Sequence, residues 1–175
     1  MHLLGISGAL RAASTNSALV RAAAEAFAPD HFTFADIDLP LYNGDVEAEG
    51  YPEKVEAFVA AIRDADAIVI SGPEYNKNIS GVLKNALDWQ SRFSPAPLKD
   101  KPVAIMSSTA GQAGGELTQM SLRKCLMPFN ARVIWGPFVF VGSNGRDGLF
   151  ENGELVDEGV KDRVAKLMDA LREMV

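Results

Sequence analysis

Short apolar segments alternate with longer segments of helical period along this chain, and this alternation limits the possible folds more than any other feature. Five runs rich in Val, Ile and Phe, each bounded by Gly, Pro or Ser, have the length and composition of strands. They are residues 2–7, 31–37, 67–72, 102–107 and 132–136. Three of them are almost continuously apolar, which is typical of strands that are covered on both faces.

Segments of helical character follow these runs. Between residues 52 and 65, apolar side chains recur at the i, i+3, i+4 and i+7 positions, at Val55, Phe58, Val59 and Ile62. The last segment of the chain follows the same rule, at Val160, Val164, Leu167, Met168 and Leu171. Less regular segments, rich in Ala, Leu, Met and Lys, occupy residues 15–28, 80–92 and 115–128. The pattern therefore predicts a strand-helix unit that is repeated five times.

Strands that alternate with helices predict an α/β doubly wound fold, in which a parallel sheet with right-handed crossovers has helices on both faces. A length of 175 residues suits one domain that spans residues 1–175. With five such units we expect the strand order 2-1-3-4-5, one of the two common orders of doubly wound sheets. Residues 142–155 are rich in Gly, Asp and Asn and indicate a loop or a small hairpin.

Composition argues against several classes of partner. The net charge of −6 disfavours nucleic acid, which requires a basic surface. Cys125 is the only cysteine, so an intramolecular disulfide is impossible, and two histidines without an acidic cluster predict no metal site. The sequence shows neither the pattern of a signal peptide nor an apolar run of about 20 residues, so we expect a cytoplasmic protein without a membrane partner.

Three polar loops are expected to form one site. The order 2-1-3-4-5 makes strands 1, 3 and 4 neighbours, and open α/β sheets bind ligands outside the carboxyl ends of their strands. The loops that follow these strands are residues 7–16, 72–81 and 107–115, and all three are dense in Gly, Ser, Thr and Asn.

The first of these loops, within "GISGALRAASTN" at residues 5–16, has the groups of a phosphate site. Backbone N–H groups at a helix start favour a dianion, as do the hydroxyls of Ser14 and Thr15, the amide of Asn16 and the guanidinium of Arg11. Helix capping is the alternative explanation, but capping needs one of these side chains and no arginine. The sequence contains neither G-x-x-x-x-G-K-[ST] nor G-x-G-x-x-G after the first strand, which favours a mononucleotide with one terminal phosphate.

These residues also resemble a known family. "SGALRAASTN", "PEYNKNISGVLKNALDW" and "SSTAGQAGG" are similar to the NAD(P)H-dependent FMN reductases, a flavodoxin-like family that reduces free flavins, quinones, azo dyes or chromate. The resemblance covers essentially the whole chain. It implies FMN as cofactor, NADPH or NADH as co-substrate, and a quinone, a flavin or another small molecule as electron acceptor.

The resemblance also implies which residues contact FMN. The phosphate would lie at Arg11, Ser14, Thr15 and Asn16, with Ser7 and Gly8 nearby. The P-E-Y-N turn, formed by Pro73, Glu74, Tyr75 and Asn76, would pack its backbone against the isoalloxazine ring. The other side of the flavin would contact Ser107, Ser108 and Gly111. No catalytic acid or base is implied, because hydride transfer between two cofactors mainly requires that the protein orient them.

Two departures from the family pattern affect this site. Relatives commonly read G-S-L-R where this chain has Ala9, and the loss of one hydroxyl to a charged phosphate costs roughly 1.5–3 kcal/mol, about one to two decades in affinity. Many relatives have P-G before the third helix, where this chain has Ser80-Gly81. Serine can cap that helix, so the fold is expected to be unaffected while the pocket differs in shape.

The resemblance further implies a homodimer or homotetramer. It places the helix at residues 80–92 at a subunit interface, so that Lys84, Asp88 and Trp89 are candidates for contacts between subunits. A different function remains open, namely a flavodoxin-type electron carrier that binds FMN without a nicotinamide site. Arg11 and the P-E-Y-N turn favour the enzyme, since carriers usually bind the phosphate with hydroxyls and amides alone.

Overall fold

A parallel sheet forms the centre of the computed structural model, which describes residues 1–175. Its strands are β1 (His2–Ser7), β2 (His31–Phe34), β3 (Ala67–Ser71), β4 (Pro102–Ser108), β5 (Arg132–Val133) and β6 (Val139–Val141). They lie in the order β2-β1-β3-β4-β5, and β6 pairs with β4 beyond the end of β5. The strand order 2-1-3-4-5 that the sequence predicts is therefore confirmed.

Two strands are shorter than the sequence predicts. The predicted strand at 31–37 ends at Phe34, because the carboxylate of Asp36 accepts a hydrogen bond from the N–H of Asp38 and turns the chain. The predicted strand at 132–136 contains only β5, and β6 occupies the rest of the same sheet edge. Pro137 lies between the two pieces and has no N–H to donate to a ladder.

Helices surround the sheet close to the predicted positions. They are α1 (Thr15–Phe27), α2 (Gly44–Glu49), α3 (Glu53–Asp64), α4 (Gly81–Gln90), α5 (Glu116–Leu126) and α6 (Glu158–Arg172). The short helix α2, which the sequence analysis missed, is capped by Asn43 and buries no residue, so it leaves no apolar pattern to detect. Within residues 142–155, the strands β7 (Phe150–Glu151) and β8 (Glu154–Leu155) form a hairpin, one of the two structures predicted there.

Each face of the sheet has its own apolar core. Because side chains alternate along a strand, Leu4 and Ile6 of β1 point to the face covered by α3, α4 and α5, while Leu3 points to the face covered by α1 and α6. Helix α1 packs so closely on β1 that a Cβ atom on Gly5 would lie 2.4 Å from Val20 Cγ1. The doubly wound fold with helices on both faces is thus confirmed.

The helix α4 presents only part of its predicted interface. Lys84 and Asp88 form an ion pair on its exposed surface. Trp89 is completely buried within the chain and donates a hydrogen bond from Nε1 to the carbonyl of Pro40 at 2.7 Å. The indole therefore packs the core and fixes the loop after β2, so it is unable to contact another subunit.

The helices and the acidic, histidine and cysteine side chains of the fold bear on two further kinds of site. No helix has both the length and the apolar character that crossing a bilayer would take. No three side chains of the types His, Cys, Asp and Glu are grouped in a way that could hold a metal ion.

The central strand β1 offers a direct test of the packing. Leu4 is completely buried, and Leu4→Ala should lower the free energy of unfolding by about 2–5 kcal/mol, because it removes apolar contacts and leaves a cavity. The matched control is Leu41→Ala, since Leu41 is 81% exposed and its truncation should change stability by no more than about 0.5 kcal/mol. Urea unfolding measures both values, and equal effects would contradict the packing described here.

Candidate functional site

A cleft of about 490 Å³ lies at the carboxyl ends of β1, β3 and β4. The sequence predicts that the loops after these strands meet, and the cleft is lined by all three of them and by one residue of the loop after β6. The lining residues are Ala9, Leu10, Arg11, Ser14, Thr15, Asn16, Pro73, Glu74, Tyr75, Ser108, Thr109, Ala110, Gly111 and Asn144. Its volume is in the range of pockets that bind small ligands and cofactors.

Most of the predicted site residues line this cleft, and four do not. Ser7 and Ser107 are buried strand residues that point away from it. The Ser7 hydroxyl accepts a hydrogen bond from Ser17 at 2.9 Å, and the Ser107 hydroxyl donates to the carbonyl of Gly114 at 2.6 Å. Both side chains therefore connect elements behind the cleft wall.

Gly8 and Asn76, the other two, shape the loops. A Cβ atom on Gly8 would lie 3.1 Å from Gly72 Cα, so Gly8 allows the loops after β1 and β3 to approach each other. Asn76 and Lys77 both have positive φ angles, of 51° and 66°, in an exposed tight turn. The flanking residues Tyr75 and Asn78 exchange two backbone hydrogen bonds of 2.9 and 3.0 Å.

The loop before α1 has unused hydrogen-bond donors. Ser14 caps the helix by accepting a bond from the N–H of Asn16 at 3.2 Å. The backbone N–H groups of Arg11, Ala12, Ala13 and Thr15 have no acceptor within the chain. Arg11 is exposed and takes part in none of the ion pairs of the protein. A loop with several unpaired N–H groups and an unpaired guanidinium at a helix start suits an anion.

Asn16 connects this loop to the sheet. Its side chain is buried, and its Nδ2 donates to the carbonyl of Ser108 at 2.9 Å. Its Oδ1 accepts from the N–H of Ser108 at 3.0 Å and from the hydroxyl of Ser71 at 2.9 Å. The amide that the sequence analysis counted among the phosphate donors is thus bonded to the ends of β3 and β4, and it holds α1 in place.

Glu74 and Thr118 hold the opposite wall of the cleft. The Glu74 carboxylate accepts a bond from the N–H of Thr118 at 3.2 Å, in the first turn of α5. The Thr118 hydroxyl donates to the carbonyl of Pro73 at 3.1 Å. Because Gly115 precedes α5 and has no side chain to cap it, Glu74 supplies an acceptor for that helix from another loop. The carboxylate therefore has a capping role at the edge of the site.

Ser80 connects two loops as well as capping a helix. Its hydroxyl accepts a bond from the N–H of Leu83 at 3.3 Å, which confirms that it caps α4. The same hydroxyl donates to the carbonyl of Gly8 at 2.6 Å. The departure from P-G at this position thus adds a bond between the start of α4 and the loop after β1.

Two polar side chains of the cleft were not predicted as site residues, Thr109, which lies in a predicted site loop, and Asn144, which does not. Asn144 follows β6, and its Nδ2 donates to the hydroxyls of Thr15 and Ser108 at 2.9 and 3.2 Å. The three residues of β6 are too short a run to be identified as a strand, so the loop after it could not be assigned to the same sheet edge. The only signal in the sequence is the cluster of Gly, Ser and Asn at residues 142–145.

The sequence and fold were compared with those of known proteins. A family model described as NADPH-dependent FMN reductase matches residues 1–145, a range that includes every residue of the cleft. The chain is 39% identical over 174 residues to an NAD(P)H-dependent FMN reductase of Pseudomonas aeruginosa, and the alignment covers 98% of this chain and 94% of that protein. It is 40% identical over 139 residues to a quinone reductase of Escherichia coli strain K12, with coverages of 79% and 74%.

Among solved structures, FerB, a flavoenzyme NAD(P)H:(acceptor) oxidoreductase of Paracoccus denitrificans, has a similar fold. The two superpose with a TM-score of 0.87 at 28% identity, over 99% of this chain and 96% of FerB. The similarity therefore extends over the whole chain and includes the region after residue 145.

The connecting role of Asn16 leads to a stability prediction. Asn16→Ala should lower the free energy of unfolding by about 2–4 kcal/mol, because it leaves the buried N–H and carbonyl of Ser108 unpaired. The neighbouring Ser17→Ala removes one buried hydroxyl bond and should cost about 0.5–1.5 kcal/mol. Urea unfolding of both variants checks the difference, and equal losses would show that Asn16 is not the main connection.

Proposed function

The chain belongs to the NADPH-dependent FMN reductase family, and from this premise we propose that its cleft holds FMN with the phosphate at the loop before α1. It is a flavodoxin-like oxidoreductase with FMN as cofactor and NAD(P)H as electron donor, and it reduces flavin and quinone. The observation that carries the proposal is the convergence of the loops after β1, β3 and β4 on one polar cleft.

The donors at the start of α1 support the position of the phosphate. The unpaired N–H groups between Arg11 and Thr15 provide several hydrogen bonds to one compact anion. Arg11 adds a positive charge that no carboxylate of the protein neutralises, and it has the planar donor geometry that phosphate oxygens require. Ala9 lines the same loop and contributes no hydroxyl, so fewer side-chain donors reach the phosphate than in relatives with serine there.

The turn at Pro73, Glu74 and Tyr75 would hold the isoalloxazine ring. Its bonds to Thr118 and its tight hairpin geometry fix its backbone before any ligand binds. Thr109, Ala110 and Gly111 form the facing wall, and Ser108 connects this wall to the start of α1 through its bond to Thr15. FMN bound there would supply two-electron redox chemistry between the nicotinamide and the acceptor. The one carboxylate of the lining, Glu74, caps α5, so the chain contributes orientation and hydrogen bonds to this chemistry.

We propose that the quinone binds at the rim of the cleft. The relative from Escherichia coli is named a quinone reductase. In this chain, Leu10 and Tyr75 line the cleft and remain 50% and 57% exposed, so they offer apolar and aromatic surface to a flat ring at its rim. The nicotinamide and the quinone, both of which are flat rings, would use this surface in turn, which predicts alternating half-reactions.

We also propose a homodimer or homotetramer located in the cytoplasm, where NAD(P)H is supplied. An exposed apolar surface on α5 and the segments that follow it supports self-association. Met120, Met127 and Trp135 line one hollow of this surface, and Leu117 of α5 and Phe138 are exposed as well. Light scattering on the purified protein measures the oligomeric state, and a monomer at micromolar concentration would contradict the proposal.

Reduction of the bound flavin by NADPH or NADH distinguishes this enzyme from a flavodoxin-type electron carrier. Addition of NADPH or NADH to the FMN-loaded protein without oxygen should bleach the flavin absorbance promptly, and a later addition of p-benzoquinone should restore it. Stopped-flow absorbance follows both half-reactions. A protein that is bleached by dithionite but by neither nicotinamide would instead have the behaviour of a carrier.

The charge on Arg11 gives a prediction about the cofactor. Arg11→Ala should weaken FMN binding by about 10- to 100-fold, because one charge-assisted interaction with the phosphate is lost. It should leave the binding of riboflavin, which has no phosphate, almost unchanged. Arg163→Ala, a substitution of another exposed arginine on α6, is the matched control and should affect neither ligand. Quenching of flavin fluorescence measures all of these affinities, and an unchanged FMN affinity would contradict the proposed phosphate position.

A further inference from the structure

Three side chains from different parts of the chain form a hydrogen-bonded triangle on the wall of the cleft. Thr15 comes from the start of α1, Ser108 from the end of β4, and Asn144 from the loop after β6. Asn144 Nδ2 is 2.9 Å from Thr15 Oγ1 and 3.2 Å from Ser108 Oγ, and the two hydroxyl oxygens are 2.9 Å apart.

The donors and acceptors of this triangle can be counted. The nitrogen of a carboxamide only donates, so Thr15 and Ser108 both use an acceptor site toward Asn144. The two hydroxyls have two protons, and one of these lies between them. Whichever hydroxyl donates to the other, one proton remains without an acceptor in the chain. The Ser108 hydroxyl donates to Thr15, so the remaining proton belongs to Thr15, whose side chain lines the cleft and is partly exposed.

From this arrangement we propose that Asn144 is a positioning residue that makes the Thr15–Ser108 pair a hydrogen-bond donor to the FMN phosphate. The inference rests on the proposed function, because it assumes that the phosphate lies at the start of α1. It assigns to Asn144 a part in selecting the phosphorylated flavin over riboflavin. No contact between Asn144 and the cofactor is required.

The backbone around Asn144 holds the carboxamide in place. The N–H of Asn144 donates to the carbonyl of Thr109 at 3.1 Å, and the N–H of Ser143 donates to the carbonyl of Gly111 at 3.1 Å. Gly142 allows this close approach, since a Cβ atom there would lie 2.2 Å from Gln112 O. The loops after β4 and β6 are thus joined by main-chain bonds, and the side chain of Asn144 is partly buried between them.

The substitution Asn144→Asp reverses the polarity of the triangle at nearly constant shape. A carboxylate accepts hydrogen bonds and cannot donate them, so it would draw the hydroxyl protons away from the cleft. It would also add a negative charge close to the proposed phosphate position. We expect FMN affinity to fall by about 10- to 100-fold.

The experiment titrates the cofactor-free protein with FMN and with riboflavin and follows flavin fluorescence. The preference for FMN over riboflavin is the readout, because general damage to the cleft would weaken both ligands alike. Asn144→Asp should reduce this preference by about 10-fold or more. Asn152→Asp, in the exposed turn between β7 and β8, makes the same change of charge away from the cleft and should keep the preference of the unsubstituted protein.

Several outcomes would overturn the inference. An unchanged preference in Asn144→Asp, or an equal loss of both ligands, would show that Asn144 does not set the polarity of the hydroxyls. If that variant does not fold, Asn144→Ala replaces it, and it must reduce the preference by about threefold or more. If instead the proposed function is wrong and the start of α1 does not bind the phosphate, the unsubstituted protein itself would bind riboflavin as tightly as FMN. A preference that is lost in Arg11→Ala but kept in Asn144→Asp would contradict only the role of Asn144.

Discussion

The buried carboxamide of Asn16 is the interaction on which the arrangement of the site depends. Through three hydrogen bonds it joins the first turn of α1 to Ser71 at the end of β3 and to Ser108 at the end of β4. The sheet alone aligns the strand ends, but it does not determine where a helix start lies above them. Because buried polar groups are costly when unpaired, these bonds strongly favour one position of α1. The loop that precedes α1 is placed by the same bonds.

Other polar groups around the cleft also use their hydrogen bonds to join loops. Glu74 caps α5 from the loop after β3, and Ser80 connects the start of α4 to the carbonyl of Gly8. The groups left without partners in the chain include the N–H groups near Arg11, its guanidinium, and one proton of the Thr15–Ser108 pair. The supporting bonds hold the loops rigid, while the unpaired donors face the position proposed for the phosphate. In a site of this kind the carboxylate of Glu74 caps a helix, and the protein binds and orients the cofactors.

Much of the fold and the position of the cleft could be predicted from the sequence, because both depend on local patterns of residues. The apolar runs and helical periods predict the strand order, and the strand order predicts that the loops after β1, β3 and β4 meet. Two residues that were expected near FMN but do not line the cleft show the limit of such patterns. Ser7 and Ser107 are polar and lie at strand ends, but the alternation of side chains turns them to the interior, where they bond to Ser17 and Gly114. Trp89 lies on a helix that the family resemblance places at a subunit interface, but its side chain is completely buried in its own chain.

Patterns along the chain are enough to predict the doubly wound sheet and the loops that form the cleft, and they indicate residue types that suit a phosphate. The reason is that periodicity and loop composition act over short distances along the chain. Only the tertiary structure decided which polar groups are bonded within the protein and which face the cleft. Asn16 and Ser108 are 92 residues apart in the chain, and Asn144 and Thr15 are 129 apart. Hydrogen bonds across such separations follow from how helices and loops pack on the sheet, which no local pattern encodes.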